Sequence, residues 1–444
     1  MNRASLIRRI AAGLGLLAAA LALPAAVLGV GAVGFERYRY APPEQPHSVA
    51  ADPPAHIAGR PTAVVVIGNG GANAADVLAP YEVLAATGAF NLYLVAPERR
   101  PVTLLGGLDV LPDLGFAELA ERLGGAAPDV TVVPEMPNDR STDVPVVDWL
   151  RDTASRGLVL GVCSGARLVA DAGLLTGREA TSHWYRLNEI APGHPEVNWR
   201  RGIRYVDTGD VITTGGLLSS VDGALRVVER LVSESAAADA ARAVHWPYYS
   251  PGGAAEIPIS EITWPERLLH LVNLGYRSQT TTVGVMITEG VGELELAAAF
   301  GPYAEVRSAR TLAIGPDTVR TKHGLTVLPR AGLDQVGSTG LVLVPGGRPS
   351  AELETAAGTA GVPVRSLPGD GRFVFDPALE TLAATSDVPT ARWAAKIFEY
   401  APADLQLSGP AFPWSGVLPP LVLAAAGLLA SAGGFVLLRR RRAR

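Results

Sequence analysis

The sequence predicts an α/β fold, a parallel sheet covered by helices on both faces, carried between two membrane-crossing helices. Three observations support this. Short apolar runs alternate with helical patterns between residues 61 and 245, part of that pattern recurs after residue 280, and both ends of the chain are long, apolar and uncharged. At 444 residues the chain has room for two domains with substantial cores. A net charge of −5 argues against a nucleic-acid partner. The one cysteine excludes an internal disulfide and leaves the redox compartment open.

Residues 1–36 read as a transmembrane helix or signal anchor. Ile10–Phe35 carries no charge and follows Arg3, Arg8 and Arg9. A cleaved signal peptide is the rival, with its basic start, apolar middle and small residues after Leu23. At the other end, a linker at 401–415 leads to a second transmembrane helix at 416–438 and a basic tail at 439–444. Arginines flank the outer end of both stretches, so the positive-inside rule puts both termini in the cytoplasm. The body is then expected on the extracytoplasmic side of the cell membrane, with lipid contacted through the terminal helices.

Residues 37–60 are rich in proline and alanine and read as a spacer. Residues 61–245 form the first domain, in which TAVVVIG, FNLYLVAP, VTVVP, GLVLGVC and DVITTGG are strand candidates separated by helical patterns. Residues 246–279 are a connector. Its helix starts at TWPERLLHLVNLG, where Thr263 and Glu266 suit a capping box and Pro265 suits the first turn. Residues 280–400 repeat the beginning of the first domain. TTVGVMITEGVGELEL mirrors PTAVVVIGNGGANAADVL, GLTVLPR mirrors GLDVLPD, and GLVLVPGG parallels DVTVVPEM. The remainder is short and rich in Pro and Gly, so this segment is expected to be a degenerate second copy.

Cys163 is the leading chemical candidate. It stands between the apolar run Leu158–Val162 and the small residues Ser164, Gly165 and Ala166, which open a helix. At such a corner the first helical N–H groups are unpaired, and together with the helix dipole they favour a thiolate. The competing reading is a small core residue, since free cysteine is commonly buried.

Four blocks in order resemble the ThiJ/PfpI superfamily, which includes the isonitrile hydratases and the N-terminal domains of AraC-type regulators. They are DVLAPYEVL at 76–84, GLDVLPD at 107–113, GVCSGARLVADAGLLTGREATSHW at 161–184 and ITTGGLLSSVDGALRVVE at 212–229. The resemblance covers about 185 residues and implies a flavodoxin-like three-layer sandwich with the cysteine at the carboxyl end of the sheet. It assigns Asp76 to the carboxyl that hydrogen-bonds the sulfur and His183 to a histidine near the site. It also implies that Ser164 and Gly165 flank an oxyanion site. One departure stands out: the family's Gly-Gly, whose backbone usually completes that site, is Glu135–Met136 here.

The histidines show no H-x-x-x-H or H-E-x-x-H pattern and GNGG lacks dinucleotide-binding spacing, so neither a metal nor a cofactor is expected. Two functions remain in competition. One is a cysteine-dependent hydrolase, hydratase or glyoxalase-like enzyme using Cys163, Asp76 and His183 on a small molecule. The other is a non-catalytic extracytoplasmic module that binds or senses a ligand. The resemblance leaves a homodimer open. Transcription regulation is set aside, because residues 280–400 lack a basic recognition helix.

Overall fold

The computed structural model describes residues 3–43, 51–252, 255–277, 280–402 and 404–442. Part of the expected spacer (44–50) and the end of the basic tail (443–444) lie outside the described residues. Helix α1 spans Arg3–Arg39, so the spacer expected from residue 37 begins one turn later. The first unit runs β1 (Thr62–Val66), α2 (Ala74–Ala86), β2 (Asn91–Ala96), β3 (Val102–Leu104), β4 (Leu108–Leu111), β5 (Leu114–Gly115) and α3 (Phe116–Arg122). It continues with β6 (Val130–Val133), α4 (Arg140–Asp152), β7 (Leu158–Gly161), α5 (Ala166–Asp171), β8 (Glu179–Ala180) and α6 (Leu187–Ile190). It closes with β9 (Asn198–Trp199), β10 (Tyr205–Asp207), β11 (Val211–Thr214), α7 (Ser219–Leu231) and α8 (Glu234–Ala243). The connector supplies α9 (Trp264–Val272), held at its start by the expected capping box: Glu266 Oε2 accepts the Thr263 N–H at 2.7 Å.

The second unit has β12 (Thr282–Met286), α10 (Glu293–Glu305), β13 (Arg310–Ile314), β14 (Val319–Arg320), β15 (Thr326–Leu328) and β16 (Leu341–Pro345). Then come α11 (Ala351–Ala360), β17 (Val364–Leu367), α12 (Phe375–Thr385), α13 (Val388–Ile397) and the long terminal helix α14 (Trp414–Arg442). The Pro- and Gly-rich stretch between β16 and the terminal helix thus folds into a strand and three helices.

The first sheet has the order β10-β11-β7-β6-β1-β2-β5 and is parallel except for β10. The four strands of the second, β13-β12-β16-β17, are all parallel, and β12 lies between its neighbours as β1 lies between β2 and β6. Continuous burial of TAVVV and LVLVP explains why these runs become interior strands rather than alternating ones.

A third sheet joins the units. Hairpin strand β4 pairs antiparallel with β15, Val110 opposite Val327, with β3 and β14 outside them. The paired strands come from GLDVLP and GLTVLP, so the equivalent valines face each other across a local pseudo-twofold axis. Helices α2 and α10 cross the same axis head to tail. Glu82, late in α2, accepts the Leu294 N–H at 2.6 Å, and Asn73, at the start of α2, donates to Glu305 at 2.6 Å at the end of α10. Most buried apolar residues of both units form one contiguous core.

Helices α1 and α14 pack on each other; Gly427 passes so close to the Ala19 carbonyl that a Cβ would collide. Both are long and apolar enough to cross a membrane. Residues 273–277 join them to the body. There Arg277 is buried, pairs with Asp387 at 2.7 Å and donates to Ser415 at 2.6 Å, in the first turn of α14.

Candidate functional site

Cys163 follows β7 by two residues, at the carboxyl end of the first sheet, in a left-handed conformation (φ +55°) that a non-glycine residue seldom adopts. Its surroundings hold it there. Its N–H donates to Thr214 Oγ1 at 3.4 Å, and its carbonyl accepts from Ser182 Oγ at 2.8 Å. Gly165 sits against the carbonyls of Val133 and Pro134 with no room for a Cβ. The helix after the corner is short: a 3₁₀ turn at Cys163–Gly165, then the six residues of α5.

Three carboxylates converge on the sulfur. Asp76 is at the third position of α2, whose cap is Asn73 rather than Asp76. Asp76 is fully buried; its Oδ2 accepts the Glu135 N–H at 3.0 Å while Oδ1 has no hydrogen-bond partner. Cys163 Sγ donates to Glu135 Oε2 at 3.6 Å. Glu305 arrives from the second unit through Asn73.

The thiol is accordingly pushed well above its ordinary range, first by burial and then by Asp76 and Glu135. This corrects the expected thiolate. The Ser164 N–H does oppose the rise, but the short helix does not outweigh burial among carboxyls. Burial, followed by the charge of Glu135, also lifts Asp76 well above the usual carboxylate range. The same two causes push Glu305 up to about 7.

The expected oxyanion site is corrected as well. The Cys163 N–H is taken by Thr214, the Glu135 N–H by Asp76 and the Gly165 N–H by the Val162 carbonyl at 2.8 Å, while that of Ser164 faces the sulfur. Gly165 is a packing glycine, and Glu135 enters through its side chain rather than its backbone. Nor is His183 joined to Cys163: its Nε2 contacts the Ile397 carbonyl at 2.9 Å, and burial lowers its pKa.

Cys163 is only 1% exposed, and Glu135 separates it from a cavity of about 60 Å³. That space holds a couple of waters, not a metabolite. Its walls come from five parts of the chain: Arg39 at the end of α1, Glu135 with His183 and Tyr185, His270 of the connector, Glu305 with Arg307, and Trp393 with Ile397. Only Glu135 and His183 among these were expected. The sequence offers no local signal for the rest, which the pseudo-twofold packing carries in from distant segments. A larger cleft of about 680 Å³, lined by Arg204, Tyr248, Tyr249, Lys396, Glu399 and Tyr400, opens between the units and the connector.

The spacing of histidines predicts no metal site, yet Asp76, Glu135 and Cys163 bring ligand-type atoms within 4.8 Å of one another, as do Glu82, Glu293 and His323. In the second trio the carboxylates are already engaged, by the Leu294 N–H, Thr321 and His323.

In the second unit β17 is followed neither by a cysteine nor directly by a helix. Glu295 takes the third position of α10, as Asp76 does in α2. Gly346 and Gly347 follow β16 where Glu135 and Met136 follow β6. Gly369 comes two residues after β17, and a Cβ on it would lie 3.7 Å from Glu295 Oε1.

Residues 62–230 match the DJ-1/PfpI family model. The chain is 30% identical over 158 residues to the isonitrile hydratase of Pseudomonas putida, covering 35% of this chain and 66% of that protein. It is 32% identical over 139 residues to the HTH-type transcriptional regulator CdhR of Pseudomonas aeruginosa, covering 30% and 38%. Two thirds or less of each of these curated relatives is spanned. Among solved structures, Drosophila melanogaster DJ-1beta is similar at 21% identity and a TM-score of 0.37, over 42% of this chain and 97% of that one. A ThiJ/PfpI family protein from Pseudomonas syringae is similar at 23% and 0.39, over 44% and 78%.

Proposed function

Because residues 62–230 belong to the DJ-1/PfpI (ThiJ/PfpI) superfamily, we propose that the chain is a membrane-anchored, extracytoplasmic module that binds or senses a small molecule. In this reading the second unit is a degenerate copy that serves as the first unit's built-in partner. One observation carries it: Cys163 is a neutral thiol behind Glu135, beside a cavity of about 60 Å³. A nucleophile must be ionised and reachable, and this sulfur is neither. Two apolar helices, paired with each other and tied to the body through Arg277, support the anchoring.

The catalytic reading keeps one specific support, the unpartnered Asp76 Oδ1 buried near a strained cysteine, in a domain similar to an isonitrile hydratase. Two assays on the full chain separate the readings. Under binding alone, iodoacetamide labels Cys163 slowly at pH 7.5, and Glu135→Gly accelerates labelling by about tenfold or more, because it uncovers the sulfur and removes a charge that raises the thiol pKa. Turnover of a small isonitrile that vanishes in Cys163→Ala would establish catalysis and overturn the binding-only reading.

A further inference from the structure

We propose that α9 lies in the outer interface of the bilayer, with Trp264, Leu268 and Leu271 facing lipid. This rests on the membrane-anchored reading above and adds a third contact to the two terminal helices. The three side chains are 77%, 59% and 43% exposed and fall at i, i+4 and i+7, on one face of a nine-residue helix. Scattered apolar residues are ordinary on a protein surface, whereas an aligned face is not.

Two independent rulers place this face at the membrane boundary. A helix needs about 20 apolar residues to cross the hydrocarbon. Counted from Ile10, that length of α1 ends at Gly29; counted back from Leu438, the same length of α14 ends at Pro419. Residues 273–277, directly after α9, straddle the first limit: Tyr276 donates to the Pro24 carbonyl at 2.7 Å, and Gly275 packs on Gly31. They meet the second limit as well, since Arg277 holds Ser415 and Val272 abuts Gly416. The helices agree with each other lower down, where Ala19 meets Gly427, about twelve residues inward from Gly31 on α1 and from Ser415 on α14.

A nine-residue helix is about 13 Å long, so every part of α9 lies within that distance of the boundary, whatever its tilt. Its outward face suits the occupant. Trp264 has Arg267 over its ring at 5.7 Å, an aromatic and a cation side by side as at lipid headgroups. Phe412 and Trp414, in tilted contact at the entrance to α14, are exposed in the same way and extend the aromatic belt.

The test uses the full chain in nanodiscs whose phosphatidylcholine is brominated near the headgroup end of its acyl chains. Tryptophan emission is compared between the parent, Trp264→Phe and Trp414→Phe. Each substitution is expected to remove a separate quenched component, and Leu268→Ser/Leu271→Ser is expected to weaken quenching of Trp264 while that of Trp414 persists. If Trp414 is quenched and Trp264 is not, the chain is in the membrane but α9 does not touch lipid, and the proposal is overturned. If neither is quenched and the chain separates from the discs, the anchoring reading fails first.

Discussion

The two units differ at the strand end that carries the cysteine: β7 turns at once into a 3₁₀ turn and α5, whereas β17 is followed by an irregular stretch before α12 begins at Phe375. In the first, Cys163 is held at φ +55° beneath Glu135, with Asp76 buried alongside. In the second, Gly369 stands two residues after β17, and Gly346–Gly347 occupy the place of Glu135–Met136, with the Gly346 N–H donated to the Leu367 carbonyl at 3.0 Å and Glu295 packed against Gly346. The packing between the units adds to the difference, because Glu305 is delivered to the cysteine corner and raises its acidity threshold further.

The sharpest way to break this comparison is to add one carbon at each corner. Gly165→Ala drives a Cβ into the backbone carbonyls of Val133 and Pro134, which cannot yield as a side chain would. Thermal unfolding in detergent should show a loss of about 3 kcal/mol or more. Gly369→Ala meets its nearest neighbour at 3.7 Å and should change stability by less than about 0.5 kcal/mol. Equal losses would mean that the second corner is as tightly packed as the first.

A second test isolates the carboxylate that only the first corner receives. Glu305 has its folded pKa raised to about 7, above the unfolded value, because burial and Glu135 disfavour its charge. The folded state therefore holds a proton that the unfolded chain has already released. The penalty is absent below about pH 4.3, grows as pH rises and is complete above about pH 7, where it amounts to about 3–4 kcal/mol. Glu305→Gln should leave stability at pH 5 little changed, raise it at pH 8 and flatten the slope between. An unchanged slope would show that Asp76, not Glu305, takes the proton.

How much of this was legible beforehand depends on the range of the signal. The parallel sheets follow from runs such as TAVVV and LVLVP, and the start of α9 from Thr263 and Glu266, because those signals lie within a few residues. The corner at Cys163 was equally local. Its electrostatics were not, since Glu305 lies 142 positions away in the sequence and Arg39 lies 124. A local rule gave the helix N-terminus, with Asp76 and Glu135 near it, but not the burial that outweighs it or Glu305 from the second unit. The repeat GLDVLP/GLTVLP held the missing information: two copies of an edge hairpin can pair with each other, and that pairing turns α10 toward the cysteine.

The smallest expected effect tests that pairing. Val110 and Val327 oppose each other at the pseudo-twofold axis and are both fully buried. Truncation of either to alanine removes two methyls from the same shared core and should cost about 2 kcal/mol. If the units are related by that axis, each valine meets its equivalent and the two losses should agree to within about 0.5 kcal/mol. Because the two residues stand directly opposite each other in the ladder, the double variant should depart from the sum of the single ones. Losses that differ by more than about 1 kcal/mol would show that one unit braces the hairpin sheet and the other merely leans on it. The contrast between the corners would then extend to the axis that joins them.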